Sequence, residues 1–408
     1  MKLRYFFFII FFLSLAAGKA QPTNARLAAD NKETKHDSIR FSLLTCAAGE
    51  EIYSLFGHTA IRYENYTQGI DWVFNYGVFD FDTPNFVLRF ALGETDYQLG
   101  INDYQSFAAQ YFQTGRDVWQ QELNLCPEEK EKLAALLKEN YKPQNRVYRY
   151  NFFYDNCATR PRDLIEKAIE GSIQYATDMH TTDTGIAFRD ILRTYSKDHP
   201  WSRLGMDLCM GAKADLPISR RTMMFVPFYL REYFGQAQIK DNKGVLRPLI
   251  LEETKILDTH NTPHDNNSLA PTPQQLAWVL LILVNTVTVY GCMRRKSLWG
   301  IDLILFLAAG VAGCILTFLA LFSQHPAVSP NYLLFVFHPL HLLCLPCMLK
   351  KVRKGRLSRY MMANLVVLTF FILLWAVIPQ RFDFTVLPLA LCLLVRSVSN
   401  LTIYKTTR

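Results

Sequence analysis

The chain reads YRYNFFYDNC at residues 148–157 and continues as ATRPRDLIEKAI at residues 158–169. The first segment is an aromatic, strand-like run that ends at Asp155 and Asn156, two residue types that favour helix caps. The second segment has apolar residues at helical spacing, so the sequence predicts a strand followed by a helix. Cys157 therefore lies at or just before a helix N-terminus, where free backbone N–H groups and the helix dipole stabilise a thiolate and lower the thiol pKa.

Pro161 indicates where this helix begins. A helix that started at Asn156 would carry the proline too deep to be free of strain. With Thr159 as the N-cap, Pro161 lies near the helix start and Cys157 lies in the preceding turn.

A strand that starts with a histidine precedes this junction. The segment IYSLFGHTAIRY at residues 52–63 has a turn at Gly57, followed by an alternating strand from His58. A second strand follows at residues 72–77, so the two are predicted to form a hairpin or meander. A histidine and a cysteine far apart in sequence can meet in space, which makes His58 and Cys157 a candidate base and nucleophile. The alternative is that both are ordinary core residues.

The net charge of +8 is unevenly distributed over the 408 residues. From Gln275 onward, 13 Lys and Arg residues stand against two acids, Asp302 and Asp383, a net charge of +11. The rest of the chain keeps 31 of the 44 basic and 34 of the 36 acidic residues, a net charge of −3. Because the basic excess belongs to an apolar third of the chain, it indicates membrane topology. We therefore exclude a nucleic-acid-binding function.

Five apolar stretches follow residue 275 and predict a helical membrane domain. Four are long enough to cross a bilayer. They lie at residues 276–293, 301–322, 332–349 and 360–378. The fifth, at residues 384–398, is weaker because Pro388 and Arg396 interrupt it.

The loops between these stretches predict their orientation. Basic residues cluster at 294–296 and 350–359, whereas the connections at 323–331 and 379–383 contain a single arginine. Basic loops stay in the cytoplasm. The part of the chain before the first span is therefore placed on the other side of the membrane.

The N-terminus gives an independent signal for the same orientation. Lys2 and Arg4 precede an apolar run and small residues that end at Ala20, the pattern of a secretory signal peptide. The predicted organisation is a signal peptide at 1–20, a flexible segment at 21–39, an exported α+β domain at 40–257, a linker at 258–275, an all-α transmembrane domain of about five helices at 276–398 and a cytoplasmic tail at 399–408. An oxidising compartment permits one disulfide among Cys46, Cys126 and Cys209.

The segments GHTAIRY (57–63) and FFYDNCATRPRD (152–163) resemble the periplasmic domain of the Lnb-type lipoprotein N-acyltransferases of Bacteroides and relatives. That family joins such a domain to C-terminal membrane spans. The order of a histidine, a hairpin and an Asn-Cys pair at a helix start is also similar to the lecithin:retinol acyltransferase group, which implies a circularly permuted papain-like fold. The resemblance covers most of residues 40–255. It includes FNYGVFDF (74–81), GMDLCMGAKAD (205–215) and MFVPFYL (224–230).

This resemblance implies acyl transfer through a thioester, with Cys157 as the nucleophile and His58 as its base. The third, orienting residue would be a polar residue on the strand after the histidine, which is either Asn75 or Tyr76. No metal and no cofactor are implied.

The resemblance also implies the substrates and an oxyanion hole. Backbone N–H groups at Asn156 and Ala158 would form that hole. The acyl donor would be a phospholipid and the acceptor the α-amine of a diacylglyceryl-cysteine lipoprotein, at the bacterial inner membrane with the catalytic domain in the periplasm. Two alternatives stay open: a membrane-anchored cysteine hydrolase acting on peptides or lipids, and a non-catalytic envelope-assembly protein.

Four polar residues near the third predicted span form a candidate membrane-face site: His325, Asn331, His338 and His341. Ionisable groups at membrane depth are costly, which favours a functional role such as binding a lipid head group. Positions 338 and 341 share one face of a helix. Hydrogen bonding to neighbouring helices is the alternative. For four further residues we expect only salt bridges: Arg116, Arg160, Asp163 and Asp215.

Overall fold

The computed structural model describes residues 38–79, 82, 84–259 and 270–407. The predicted signal peptide, most of the flexible segment and residues 260–269 of the linker lie outside them. The described chain comprises an N-terminal domain, residues 38–259, and a helical domain, residues 270–407. The predicted order of an α+β domain followed by a helical domain is confirmed.

A seven-stranded antiparallel sheet is the centre of the N-terminal domain. Its strands are β1 (Ile39–Cys46), β2 (His58–Asn65), β3 (Ile70–Val78), β4 (Asp96–Asp103), β5 (Val118–Leu123), β6 (Val147–Arg149) and β10 (Ile250–Leu257). They lie in the order β10-β5-β1-β2-β3-β4-β6. A three-stranded sheet contains β7 (Ser172–Gln174), β8 (Gln238–Lys240) and β9 (Leu246–Pro248). The predicted hairpin is confirmed, because β2 pairs antiparallel with β3.

Helices cover both faces of the large sheet. The helices of this domain are α1 (Phe86–Leu92), α2 (Tyr104–Gln113), α3 (Pro127–Tyr141), α4 (Thr159–Ala168), α5 (Phe188–Tyr195), α6 (Pro200–Cys209), α7 (Arg220–Met223) and α8 (Pro227–Gly235). On one face, α3, α4 and α8 share a core with Phe41 and Leu43 of β1. On the other face, α2 packs with Leu44 and Cys46. Since successive strand residues point to opposite faces, covering both faces buries nearly all of β1.

The aromatic run before Cys157 is a strand only at its start. Strand β6 ends at Arg149. The side chain of Asn151 then accepts hydrogen bonds from the backbone N–H groups of Phe153 and Tyr154, at 3.1 and 3.2 Å. Because an asparagine that bonds to the backbone ahead of it turns the chain, the predicted strand stops several residues before the cysteine.

Helix α4 begins at Thr159, with Ala158 as its N-cap, one residue before the predicted cap. Asn156 fixes this start, because its Oδ1 accepts hydrogen bonds from the backbone N–H groups of Ala158 (2.8 Å) and Thr159 (3.0 Å). Pro161 is the third helical residue, where the missing N–H costs no intrahelical bond. Cys157 is therefore held in the turn before the helix, as the proline indicated.

The helical domain contains α9 (Pro273–Met293), α10 (Trp299–Phe322), α11 (Leu340–Arg353), α12 (Arg359–Leu373) and α13 (Val386–Thr407), and a short 3-10 helix, Tyr332–Phe335, precedes α11. Within the described residues, four segments are long and apolar enough to cross a membrane: Pro273–Met293, Trp299–Phe322, Tyr332–Arg353 and Val386–Tyr404. Helix α12 is apolar but shorter. The stretch predicted as a full span, 360–378, thus contains the shorter helix α12, and the stretch predicted as weak, 384–398, lies mostly in the longer helix α13.

A buried ion pair explains why α13 is long despite its arginine. The Nε and Nη2 atoms of Arg396 donate to the two carboxylate oxygens of Asp302 in α10, at 2.7 and 3.0 Å. The side chains are 2% and 0% exposed. Thr288 and the carbonyl of Ser297 accept further hydrogen bonds from the guanidinium. A charge that is paired and fully hydrogen-bonded is tolerated inside a membrane helix.

The two connections that lack basic clusters contact the N-terminal domain. Arg381 pairs with Asp190 at 2.5 Å and with Asp215 at 2.9 Å. Asn331 donates to the carbonyl of Leu208 at 2.8 Å. These contacts lie on the side of the helical domain that the charge pattern predicts to face away from the cytoplasm.

Candidate functional site

One cavity of the N-terminal domain, about 390 Å³ in volume, is lined by both His58 and Cys157. Asn75 and Arg116 also line it. The other walls are largely aromatic and include Tyr53, Tyr76, Phe79, Tyr97, Phe107, Tyr111 and Tyr150. A few polar groups among apolar walls are the usual composition of a binding site for a partly apolar small molecule.

A glycine turn places His58 at the first position of β2. Gly57 has a φ of 81°, and a Cβ at this position would lie 2.6 Å from the carbonyl oxygen of Cys46. Both the left-handed backbone and the close approach require glycine. The turn aligns His58 opposite Cys46 on β1. The GHTAIRY segment thus fixes the histidine through its backbone.

A pair of asparagines orients the imidazole. The Nε2 atom of His58 lies 3.1 Å from Oδ1 of Asn75 on β3, and the amide nitrogen of Asn75 donates to Oδ1 of Asn102 on β4 at 2.8 Å. Because the Asn75 nitrogen is used by Asn102, its oxygen faces the histidine and accepts from Nε2–H. The unprotonated Nδ1 of His58 is therefore left as the basic atom.

The thiol of Cys157 lies beside β2. Backbone N–H groups of Thr59, the residue after His58, and of Cys157 itself point at the sulfur. Strand β3 has a bulge between Asn75 and Val78, which interrupts the sheet next to this point. All nine cysteines are unpaired, so the disulfide that the sequence permits does not form. The predicted histidine and cysteine thus line the same cavity.

Burial keeps both groups uncharged. It raises the pKa of the Cys157 thiol to about 11, against smaller opposing effects of the two N–H groups and of Arg116. Burial also lowers the pKa of His58 to about 4, with the Asn75 hydrogen bond opposing this shift and Arg116 adding to it. At neutral pH the pair is therefore a thiol and a neutral imidazole. The expected lowering of the thiol pKa is wrong, because desolvation outweighs the helix terminus.

The structure corrects the expected oxyanion hole. The backbone N–H of Asn156 donates to Oγ1 of Thr159 at 2.8 Å, and that of Ala158 donates to Oδ1 of Asn156 at 2.8 Å. Both groups are used to hold the start of α4 and are not available to a ligand. Of the three amides in this turn, only that of Cys157 points toward the reactive sulfur.

Tyr76 is not the partner of the histidine. Its ring packs edge-on against Tyr148, with centroids 6.3 Å apart. Within the described chain its buried hydroxyl makes no hydrogen bond. Of the two residues left open by the sequence, only Asn75 forms a hydrogen bond with His58 in the described chain.

Arg116 was expected to form a salt bridge, yet no described carboxylate pairs with it. Its Nε donates to the carbonyl of Ala47 at 2.8 Å, and its guanidinium lies 4.7 Å from the ring centroid of Tyr111. The three other expectations are correct: Arg160 pairs with Asp155, Asp163 with Arg162 and Arg221, and Asp215 with Arg189 and Arg381. The sequence offered no signal for Arg116 or Asn102 as site residues, because neither belongs to a motif with the reacting pair.

The four polar residues near the third span do not form one site. His325 bonds through Nε2 to the carbonyl of Phe90 at 2.8 Å, and Asn331 bonds to the N-terminal domain. His341 uses one ring nitrogen for the carbonyl of Val336 and the other for the hydroxyl of Tyr360, and it stacks on His338 with centroids 3.9 Å apart. These contacts favour helix packing, the alternative that the sequence left open.

Comparison with known families gives two matches. Residues 27–194 match the family described as the Lnb N-terminal periplasmic domain. Residues 264–407 match the family described as the Lnb transmembrane domain. Together the matches cover roughly three quarters of the chain. No curated protein and no solved structure matches it.

Proposed function

Because the chain belongs to the Lnb family, a family of membrane proteins with a periplasmic N-terminal domain, we propose that it is a lipoprotein N-acyltransferase of the bacterial inner membrane. It moves an acyl chain from a phospholipid, through a thioester on Cys157, to the α-amine of a diacylglyceryl-cysteine lipoprotein. The observation that supports this most is the cavity where His58, oriented by Asn75, lies beside a thiol.

The reaction has two half-reactions with His58 moving the proton in each. The Cys157 thiol gives its proton to Nδ1 of His58 as the sulfur attacks the ester carbonyl of the phospholipid. The C–O bond then breaks, the lysophospholipid takes that proton, and a thioester remains. The α-amine of the lipoprotein next attacks the thioester, His58 accepts a proton from the amine, and the thiol is restored as the amide forms.

In the proposed reaction, Cys157 and His58 start uncharged and become charged only as the proton moves. Since burial disfavours both the thiolate and the imidazolium, charges appear only as the proton moves and the sulfur attacks. The hydrogen bond from Nε2–H to Asn75 stabilises the imidazolium and leaves Nδ1 as the atom that would accept the proton. The backbone N–H of Cys157 is the donor best placed for the developing oxyanion.

A series of neighbouring aromatic rings connects the cavity to the helical domain, which supports a substrate that comes from the membrane. Phe79 lines the cavity and stacks on Phe86 of α1, which stacks on Phe90, with centroids 5.5 and 6.4 Å apart. The ring of Phe90 in turn packs against that of His325, in the loop after the membrane helix α10, with centroids 5.9 Å apart. The rings run from the site to the helical domain, and an acyl chain that followed them would stay in apolar surroundings.

The proposal is tested by capturing the acyl-enzyme. The full-length protein in detergent micelles, given a phospholipid with labelled acyl chains, should gain the mass of one acyl chain on Cys157. Hydroxylamine should remove it, because thioesters react readily with that nucleophile. A lipopeptide with a free α-amine should take the chain as an amide.

Two results would contradict this proposal. The absence of any adduct on Cys157 would argue against an acyl-enzyme, and with it against catalysis by this cysteine. An adduct that decays to free fatty acid at the same rate with and without the lipopeptide would show a hydrolase instead.

Replacing Asn75 with alanine should lower the rate of acyl-enzyme formation by about 10- to 100-fold, part of the 10²–10⁴ that a positioned general base contributes. The hydrogen bond of Asn75 raises the pKa of His58. Without it, this pKa falls below about 4, so the acid limb of the pH–rate profile should move to lower pH while the plateau drops. Asn102→Ala is the matched control and should lower the plateau less. An acid limb that moves to higher pH would contradict the assignment.

A further inference from the structure

Arg116 is held rigidly at the wall of the cavity. It follows α2 and the turn at Gly115, which has a φ of 65°. Its Nε is bound by the carbonyl of Ala47, and its guanidinium lies over the ring of Tyr111. These two contacts use the Nε–H group and one face of the planar guanidinium. The terminal amino groups, Nη1 and Nη2, make no hydrogen bond with any residue that the structure describes.

The charge of Arg116 is left unneutralised although acids are near. Its sequence neighbour Asp117 is already bound by the Lys255 ammonium at 2.8 Å and by the backbone N–H of Thr259 at 2.9 Å. Most other arginines of the N-terminal domain have carboxylate partners, among them Arg40, Arg62, Arg89, Arg149, Arg160, Arg189 and Arg221. A partly buried cation without a counterion is costly, so a ligand that supplied the anion would be stabilising.

The position of the Arg116 guanidinium in the same cavity as Cys157 and His58 indicates which chemical groups the ligand would carry. Arg116 lines the same cavity as Cys157 and His58, and its charge acts on both groups. Two free amino groups in one plane match two oxygens of a phosphodiester. In a glycerophospholipid, only a glycerol unit separates the phosphate from the ester carbonyls.

We propose that Arg116 binds the phosphate of the phospholipid donor while the ester carbonyl lies at Cys157. The inference rests on the proposed acyltransferase function and adds to it the group that selects the donor. Because the acceptor, a diacylglyceryl-cysteine, has no phosphate, Arg116 serves the first half-reaction and not the second.

An alternative role for Arg116 is to stabilise the thiolate directly. The hydrogen bonds that point at the sulfur come from the backbone of Thr59 and Cys157, and none comes from the guanidinium. A purely thiolate-stabilising arginine would act equally on every ester donor. The two roles therefore differ in their dependence on the donor.

The test compares two donors that differ only in the phosphoglycerol head group. Acyl-enzyme formation by the full-length protein in mixed micelles is measured with phosphatidylglycerol and with diacylglycerol of the same chains. Arg116→Gln should raise the half-saturating concentration of phosphatidylglycerol by about tenfold or more, since a charge-assisted bidentate contact is lost. The reaction with diacylglycerol should fall much less, because that reaction loses only the effect of the Arg116 charge on Cys157 and His58. Transfer from the preformed acyl-enzyme to a lipopeptide should likewise fall much less than acylation by phosphatidylglycerol.

Arg116→Lys is the matched variant, because it keeps the charge and loses the planar fork; it should recover part of the preference for phosphatidylglycerol. It also carries the test if the melting curve of Arg116→Gln shows that the variant does not fold. Equal losses with both donors would overturn the phosphate assignment and leave the acyltransferase proposal intact. Failure of the wild-type protein to form an acyl-enzyme with either donor would overturn the proposed function itself.

Discussion

Replacing Cys157 with serine should leave lipoproteins with a free N-terminal α-amine in cells that depend on this protein. In the proposed reaction the neutral thiol of Cys157 passes its proton to His58 and attacks, whereas a serine hydroxyl is far less acidic and a weaker nucleophile. We expect the transfer rate to fall by roughly 10³-fold or more, as when other catalytic nucleophiles are removed. Mass spectrometry of the N-terminal lipopeptide of one abundant lipoprotein measures the result.

Cys126 offers a matched control for this substitution. It is a partly buried cysteine of the same domain and the N-cap of α3, where its backbone N–H donates to Glu129 at 2.9 Å. Serine is a favoured N-cap, so Cys126→Ser should fold and should leave N-acylation unchanged. Complete N-acylation in the Cys157→Ser strain would show that the acyl chain does not pass through this sulfur.

Replacing Asp302 with alanine should destabilise the helical domain by about 3–5 kcal/mol, the usual cost of breaking a buried ion pair from one side. Arg396 would keep its charge in a place where its side chain is 2% exposed and only Thr288 and the Ser297 carbonyl could bind it. Two measurements check the effect: the midpoint of thermal unfolding in detergent and the yield of folded protein.

The double variant Asp302→Leu with Arg396→Met tests whether the unpaired charge of Arg396 causes the loss of stability. Because it removes both charges and keeps apolar volume, it should recover most of the lost stability. Asp383→Asn, in the loop before α13, is the control and should have little effect. A single Asp302→Ala variant as stable as the wild type would mean that the ion pair does not hold α10 and α13 together.

Local patterns predicted much of what positions the site. The alternation after His58 fixed the hairpin, and Pro161 located the start of α4 to within one residue. The choice between Asn75 and Tyr76 needed the fold, since neighbours on a strand point to opposite faces and only one of them can meet the imidazole. Local patterns made His58 and Cys157 a candidate pair, and the family resemblance implied a role for each of them.

The features that the sequence missed depend on distant partners. Arg116 lies in a loop and Asn102 on a strand, and neither segment carries a motif. Only the fold of the whole domain brings them to the cavity. The amides of Asn156 and Ala158 were assigned to an oxyanion because the sequence does not show that Asn156 caps the helix with its own side chain. The length of α13 was underestimated because a charge in a span is tolerated only when its partner, here Asp302, is known.

Arg381 fastens the periplasmic domain to the helical bundle through two carboxylates, Asp190 and Asp215. Gln380 beside it donates to the carbonyl of Met210 at 3.0 Å. With both contacts made, the N-terminal domain is tied to the loop before α13, so we expect it to move together with the helical domain. If the chain is the acyltransferase proposed above, this attachment would favour reactive groups close to the membrane surface over amines that protrude further into the periplasm.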